Sequence, residues 1–262
     1  MKITLIQHDI VWANPAETLK TVDEAISRNP GSDLYLMPEM FTTGFLPEPQ
    51  GLAEVADSDS LHWMQRKARE MDAALCGSMS VCDSGKYYNR MYFVKPDSEV
   101  TVYDKSHLFL YSGEGINYTS GDKRVIVEFR GVRILLEICY DLRFPIWCRN
   151  SIGADGRALY DLIVYSANWP MARRLAWDTL VPARAIENQC FVAACNRVGS
   201  DSCGDCFGGS KLIHPYGHPL ADEVINQSAE ITGEIDMAQL ERYRKKFPTL
   251  NDIIWTKDFK ES

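Results

Sequence analysis

Short runs rich in Val, Ile, Tyr and Phe recur along this chain. Each is closed by Gly, Pro, Asn or Asp, and amphipathic stretches stand between many of them. That pattern constrains the fold most, because short apolar runs bounded by turn residues read as buried strands. Strands are expected over 3–7, 34–37, 74–81, 88–94, 101–104, 124–129, 133–139, 162–167, 190–196 and 209–214. Asn14-Pro15-Ala16-Glu17 offers an N-cap, a first-turn Pro and an N3 Glu, starting a helix that runs to about Arg28. A second helix is expected over 60–71, where Leu61, Met64, Ala68 and Met71 share a face. A third is expected over 172–188, kinked or restarted at Pro182, and a fourth opening near Asp236 with Gln239 three residues on. Helices separate the first strands, a block of meandering strands follows, and the alternation then resumes. The class is α/β, with helices covering sheets of mixed parallel and antiparallel pairing. No Pro/Gly/Ser-rich linker divides residues 1–262, which read as one domain. The C-terminal ~20 residues are expected to be a tail or a dimer-contact segment.

Charge narrows the partners. Lys and Arg number 28 against 36 Asp and Glu, a net charge of −8, so a global basic footprint for nucleic acid or anionic membrane is missing. The one dense basic run, from Arg242 to Lys246, sits beside Glu241 and reads as a solvated helix face. No apolar stretch reaches the ~18 residues of a membrane span. The opening Met1-Lys2-Ile3-Thr4-Leu5-Ile6-Gln7 lacks the long apolar core of a signal peptide. The eight cysteines are therefore expected to be reduced thiols in the cytoplasm.

Phosphate-cradling loops, the dinucleotide fingerprint, H-E-x-x-H and the serine elbow G-x-S-x-G are all absent. Cys203 and Cys206, followed by His214 and His218, have zinc-ligand residue types. The gap between the pairs is short and no recognition-type helix follows, so a loop plus a hairpin turn at 214–218 is the better reading.

Three segments carry more chemistry. Leu34-Tyr-Leu-Met-Pro-Glu39 ends an apolar strand in a carboxylate, either a desolvated general base or an exposed capping Glu. Tyr103-Asp-Lys105-Ser-His107 places a Lys at the end of a strand, either snorkelling to solvent or fixed as a cation for an anion. Ile134-Leu-Leu-Glu-Ile-Cys139 runs straight into a polar turn that begins a helix. A thiol there lies near helix N-terminal amides, which favour thiolate and oxyanion, and the alternative is a buried inert thiol. Cys76, Cys190 and Cys195 look like core residues.

In this order the three segments resemble the nitrilase, or carbon–nitrogen hydrolase, superfamily, whose Glu-Lys-Cys triad matches Pro38-Glu39, Asp104-Lys105 and Cys139-Tyr140-Asp141. The likeness extends to about residue 240. Met37-Pro-Glu-Met-Phe-Thr-Thr-Gly-Phe45, Cys139-Tyr-Asp-Leu-Arg-Phe-Pro145, Ala167-Asn-Trp-Pro170 and Pro182-Ala-Arg-Ala-Ile-Glu-Asn188 look like the branch containing the ω-amidases. The resemblance implies an α-β-β-α sandwich, paired as a homodimer, with no metal and no organic cofactor. It implies hydrolysis of the terminal carboxamide of a small 2-oxo acid, such as 2-oxoglutaramate or 2-oxosuccinamate, through a Cys thioester. Glu39 would be the general base, Lys105 and the backbone N–H of Tyr140 the oxyanion donors, and Cys139 the nucleophile. Glu114 would position substrate and support the Lys, although Tyr111-Ser112-Gly113 departs from the commoner family wording. His107 would be structural. Arg143 would bind a substrate carboxylate or, the preferred reading, pair with an acidic neighbour. Phe45, Trp169 and Arg173 are the remaining substrate-contact candidates, with packing and an exposed helix charge as their alternative. Nitrile hydrolysis by the same triad, and a catalytically silent binding protein on the same scaffold, are the competing functions.

Overall fold

A computed structural model describes residues 1–201 and 204–252. In chain order the strands are β1 (Lys2–Gln7), β2 (Leu34–Leu36), β3 (Glu54–Val55), β4 (Ala74–Asp83), β5 (Lys86–Val94), β6 (Val100–Asp104) and β7 (Ile126–Phe129). There follow β8 (Val132–Ile138), β9 (Leu162–Ala167), β10 (Phe191–Asn196), β11 (Val198–Asp201), β12 (Gly204–Phe207), β13 (Lys211–Ile213) and β14 (Ala229–Glu234). The helices are α1 (Pro15–Arg28), α2 (Asp59–Met71), α3 (Glu114–Asn117), α4 (Arg174–Asn188) and α5 (Met237–Lys246).

One sheet has the order β14-β1-β2-β4-β5-β6, with β3 beside β4; the other has the order β13-β10-β9-β8-β7. In each, the central strands are parallel and the flanking ones antiparallel. The period-2 alternation of strand side chains explains the layering. On β8, Ile134, Leu136 and Ile138 face Ile3, Leu5, Leu36 and Phe93 of the other sheet, forming the central core. Leu135 points the opposite way, toward Trp177, Val181 and Ala185 of α4. The outer face of the first sheet packs Tyr35, Leu75 and Met79 on Val22 and Ile26 of α1 and Met64 and Ala68 of α2. The result is the α-β-β-α sandwich.

The helix signals fare well. Asn14 accepts from the Glu17 N–H, and Asp236 accepts from the N–H groups of Ala238 and Gln239. Several expectations need correction. α4 runs through Pro182 without restarting, preceded by a 3₁₀ turn at Met171–Arg173. β3, the β11–β12 ribbon and β14 had no separate signal. The two residues of β3 and the four each of β11 and β12 are too few for periodicity, and β14 carries Thr, Gly and Glu with few apolar residues. The segment 242–246 is not a wholly solvated face. Tyr243 is buried, and Arg244 pairs with Asp161 at 2.6 Å while donating to the carbonyls of Tyr160 and Gln189. Cys76, Cys190 and Cys195 are fully buried, as core thiols should be. The 214–218 turn is closed by His214 N–H donating to the His218 carbonyl at 2.8 Å. Cys203 lies outside the described residues, as does the tail beyond Asp252. Among the described residues no group of three or more His, Cys, Asp or Glu could hold a metal ion, and no helix is long and apolar enough to cross a membrane.

Candidate active site

Three chain segments leave the carboxyl ends of their strands and converge. After β2 the chain stays bound to β4 through Met37 N–H to the Cys76 carbonyl, Met40 N–H to Ser78 Oγ and Phe41 N–H to the Ser78 carbonyl. Gly77 makes this approach possible, since a Cβ there would lie 2.9 Å from both Met37 and Phe41. Met40 holds φ +43°, which turns Glu39 inward. Lys105 follows β6, its N–H bonded to the Asn89 carbonyl at 2.9 Å. Cys139 follows β8 and also holds φ +43°, a backbone conformation that a non-glycine residue adopts only when its surroundings enforce it.

Asp141 supplies that enforcement. Its buried carboxylate accepts from Ile138 N–H at 2.9 Å, Tyr103 Oη at 2.8 Å and His107 N–H at 3.0 Å, and lies 2.8 Å from His107 Nδ1. His107 is thus structural, stacked on Phe144 at 3.8 Å. The turn Cys139–Arg143 is a five-residue 3₁₀ helix rather than the start of an α-helix, so the expected aid from a helix macrodipole is small. Tyr140 lies in its first turn, where a backbone N–H has no intrahelical acceptor.

Glu39, Lys105 and Glu114 are almost completely buried. Neither the exposed capping Glu nor the snorkelling Lys survives. Lys105 Nζ donates to Glu39 Oε1 at 2.7 Å and to Glu114 Oε2 at 2.9 Å. Asn89 Nδ2 donates to Glu39 Oε1 at 2.7 Å and to Glu114 Oε1 at 3.0 Å. Asn168 N–H meets Glu39 Oε2 at 3.0 Å, and Phe109 N–H meets Glu114 Oε2 at 2.6 Å.

Burial raises the pKa of Glu39, with the Glu114 charge adding to it and Lys105 opposing. Burial works against the Lys105 ammonium, but the carboxylates of Glu114 and Glu39 outweigh it and the amine is held charged. The Cys139 thiol is pushed well above its ordinary value, first by burial and then by the Glu39 charge, with Lys105 pulling the other way. The thiol lies near enough to the Glu39 carboxylate for each to shift the other. The resting proton therefore sits on sulfur, beside a carboxylate made unusually ready to accept it. That is a geometry for base-assisted attack rather than for a standing thiolate.

Cys139, Glu39 and Lys105 open onto a pocket walled by Phe45, Phe109, Tyr140 and Trp169. Two guanidinium groups complete it. Arg143 lies over the Trp169 ring at 4.9 Å and Arg173 over the Phe109 ring at 5.0 Å. The acidic neighbour expected for Arg143 is not there: no carboxylate lies within ion-pair distance of Arg143 or Arg173 among the described residues. Phe45, Trp169 and Arg173 all line the pocket; Phe45 and Trp169 are at the same time buried among apolar neighbours, and Arg173 is half-buried rather than exposed. The backbone of Trp169 is fixed by both ends of the buried Asn196 amide.

The carbon-nitrogen hydrolase family model matches residues 2–245. The chain belongs to the carbon–nitrogen hydrolase family. Among relatives in this family, the omega-amidase YafV of Escherichia coli K12 is 43% identical over 253 residues, covering 96% of each chain. The 2-oxoglutaramate amidase of Bacillus subtilis is 34% identical over 257 residues, again covering 96% of each. A carbon–nitrogen hydrolase superfamily protein of Xanthomonas campestris, solved with an arsenic adduct in its active site, superposes with a TM-score of 0.94. It is 38% identical, and the match covers 98% of both chains.

Some residues of this hydrolase site had only a faint sequence signal. Asn89 is a lone amide within the strand Tyr87-Tyr88-Asn89-Arg90-Met91, a polar residue where burial would make it costly unless it had a task. Asn168 lies within Ala167-Asn-Trp-Pro170 but offered no chemistry of its own. Phe109 follows Lys105 by four residues and reads as ordinary apolar filling.

Proposed function

We propose that this protein is an ω-amidase, cleaving the terminal carboxamide of a small 2-oxo acid of the 2-oxoglutaramate or 2-oxosuccinamate type to carboxylate and ammonia. The observation that carries the reading is the pair of guanidinium groups, Arg143 and Arg173, in the same pocket as the buried Glu39, Lys105 and Cys139 and without ion-pair partners among the described residues. Two cations on aromatic faces suit an anionic substrate whose far end carries a carboxylate. The names of the relatives point to the same substrate class.

The chemistry follows from the charges. The amide carbonyl carbon approaches Cys139 Sγ while Glu39 takes the thiol proton. The developing oxyanion is met by Lys105 Nζ and the Tyr140 N–H, whose charge and dipole are fixed in advance. Glu39 returns the proton to the departing amine, and ammonia leaves a thioester on Cys139. Water then enters, Glu39 accepts its proton, and the collapse of the second tetrahedral species frees the acid and restores the thiol. Glu114 holds the Lys105 ammonium from the side away from the substrate. The protein works as a cytoplasmic homodimer in this reading.

The test is ammonia release from 2-oxoglutaramate and 2-oxosuccinamate, beside simple nitriles and amides that lack a carboxylate. Rapid release confined to the carboxylate-bearing amides is the expected result. Preference for nitriles, or equal rates on uncharged amides, would remove the substrate assignment.

A further inference from the structure

We propose that Asn89 is a positioning residue: its side-chain amide occupies lone pairs of Glu39 and Glu114 so that Lys105 keeps one N–H for the substrate oxyanion. The inference rests on the roles given above to Glu39, Lys105 and Cys139.

Counting donors and acceptors leads to it. Two buried carboxylates surround one ammonium, so the cluster carries excess negative charge in a dry site. Lys105 has three N–H groups. One meets Glu39 Oε1, and a second meets Glu114, whose two oxygens lie 2.9 and 3.1 Å away. That leaves a third hydrogen. Glu39 Oε1 and Glu114 Oε1 would compete for it were they otherwise poorly served. Asn89 serves those same two oxygens, giving one amide hydrogen to each.

Asn89 is itself completely buried, and its Oδ1 has no hydrogen-bond partner. A buried amide that only filled space would be expected to satisfy its acceptor as well. Here both hydrogens go to carboxylates while the acceptor goes without. The opposite amide orientation would set an oxygen against two carboxylate oxygens, so the chemistry fixes the assignment. The groups facing Glu39 are Lys105, Glu114, Cys139 and, at longer range, Tyr118; from β5 it meets only the neutral Asn89.

Removing the amide should have two effects that a merely structural loss would not. Lys105 is drawn toward the carboxylates, which lowers kcat more than it raises KM. Glu39 loses a donor to its charged form, so it holds a proton to higher pH.

The experiment compares wild type, Asn89→Ala and Asn89→Ser. It measures two pH profiles, kcat/KM for 2-oxoglutaramate and the rate of Cys139 alkylation by iodoacetamide, the site being identified by mass spectrometry. The expected result for Asn89→Ala is a fall in kcat of about 30-fold, less than the ~100-fold or more for outright loss of an oxyanion donor because Lys105 is displaced and not removed. Its acid limb should move up by roughly half a pH unit or more in both profiles, as for loss of a hydrogen bond to a charged group. Asn89→Ser retains one donor hydrogen and should fall between, which keeps the test open if the alanine protein does not fold. Profiles of unchanged shape in a folded variant would overturn the inference while leaving the triad intact. A wild-type alkylation profile without an acid limb would overturn the Glu39–Cys139 reading itself, and this inference with it.

Discussion

The Tyr103 hydroxyl donates to Asp141 Oδ2 at 2.8 Å, joining the strand that delivers Lys105 to the turn that delivers Cys139. Because the same carboxylate also holds Ile138 N–H and His107, the left-handed Cys139 backbone is imposed by four contacts, from Tyr103 on β6, Ile138 on β8 and His107 in the loop after β6. Asp141→Ala should therefore cost about 3 kcal/mol or more of stability by orphaning buried donors, and Tyr103→Phe about 1 kcal/mol. Urea denaturation monitored by tryptophan fluorescence checks the order. Equal stability of all three proteins would refute it.

A close approach elsewhere sets the other carboxylate. Gly77→Ala places a methyl group against Met37 and Phe41 at distances that real Cβ atoms do not adopt. The Pro38-Glu39 segment must shift. A 1 Å misplacement of a catalytic group costs about 100-fold, so kcat should fall by that order while the protein remains folded. Unaltered kcat would show that Glu39 tolerates displacement.

The pH dependence has a definite sign. Glu39 accepts a proton in the proposed mechanism, and its pKa is raised by burial, so it is fit for work only above that raised value. The acid limb of kcat/KM should lie above the ordinary Glu range near ~4.3, with activity lost as pH falls through it. Glu39→Gln should abolish the limb together with nearly all activity. A limb at the ordinary carboxylate value would contradict the assignment.

Glu137 has a different consequence. It lies on β8 two residues before Cys139, completely buried, and neither carboxylate oxygen has a hydrogen-bond partner. Burial and then the Asp141 charge hold its pKa well above the usual range, against the pull of Arg124 and Arg184. The folded protein keeps this proton at pH values where the unfolded chain has released it. Stability is consequently lost as pH rises above the ordinary Glu value. Glu137→Gln should be more stable than wild type at pH 8, with the difference closing toward pH 4.5. Thermal denaturation across that interval checks it, and a constant difference would count against the buried proton.

The sequence reveals the strands that carry the site because each is a short apolar run ending in a single reactive side chain. Glu39, Lys105 and Cys139 become candidates for that reason, but the resemblance to the carbon–nitrogen hydrolase superfamily, not spacing, chose among their open readings and singled out Glu114. Asn89 was not legible, since its task depends on two carboxylates 50 and 25 residues away in the chain. Arg143 was misjudged for a related reason: sequence shows its charge but not the aromatic face of Trp169 that holds it. The raised thiol pKa likewise reflects burial, which the apparent strand-to-helix elbow concealed.

The most direct measurement is the kcat for ammonia release from 2-oxoglutaramate by wild type and Cys139→Ala, with both proteins shown to be folded by circular dichroism. The covalent mechanism predicts that the alanine protein falls at least about 10³-fold, the scale on which loss of an essential nucleophile is felt. Retention of wild-type turnover by Cys139→Ala would contradict the account.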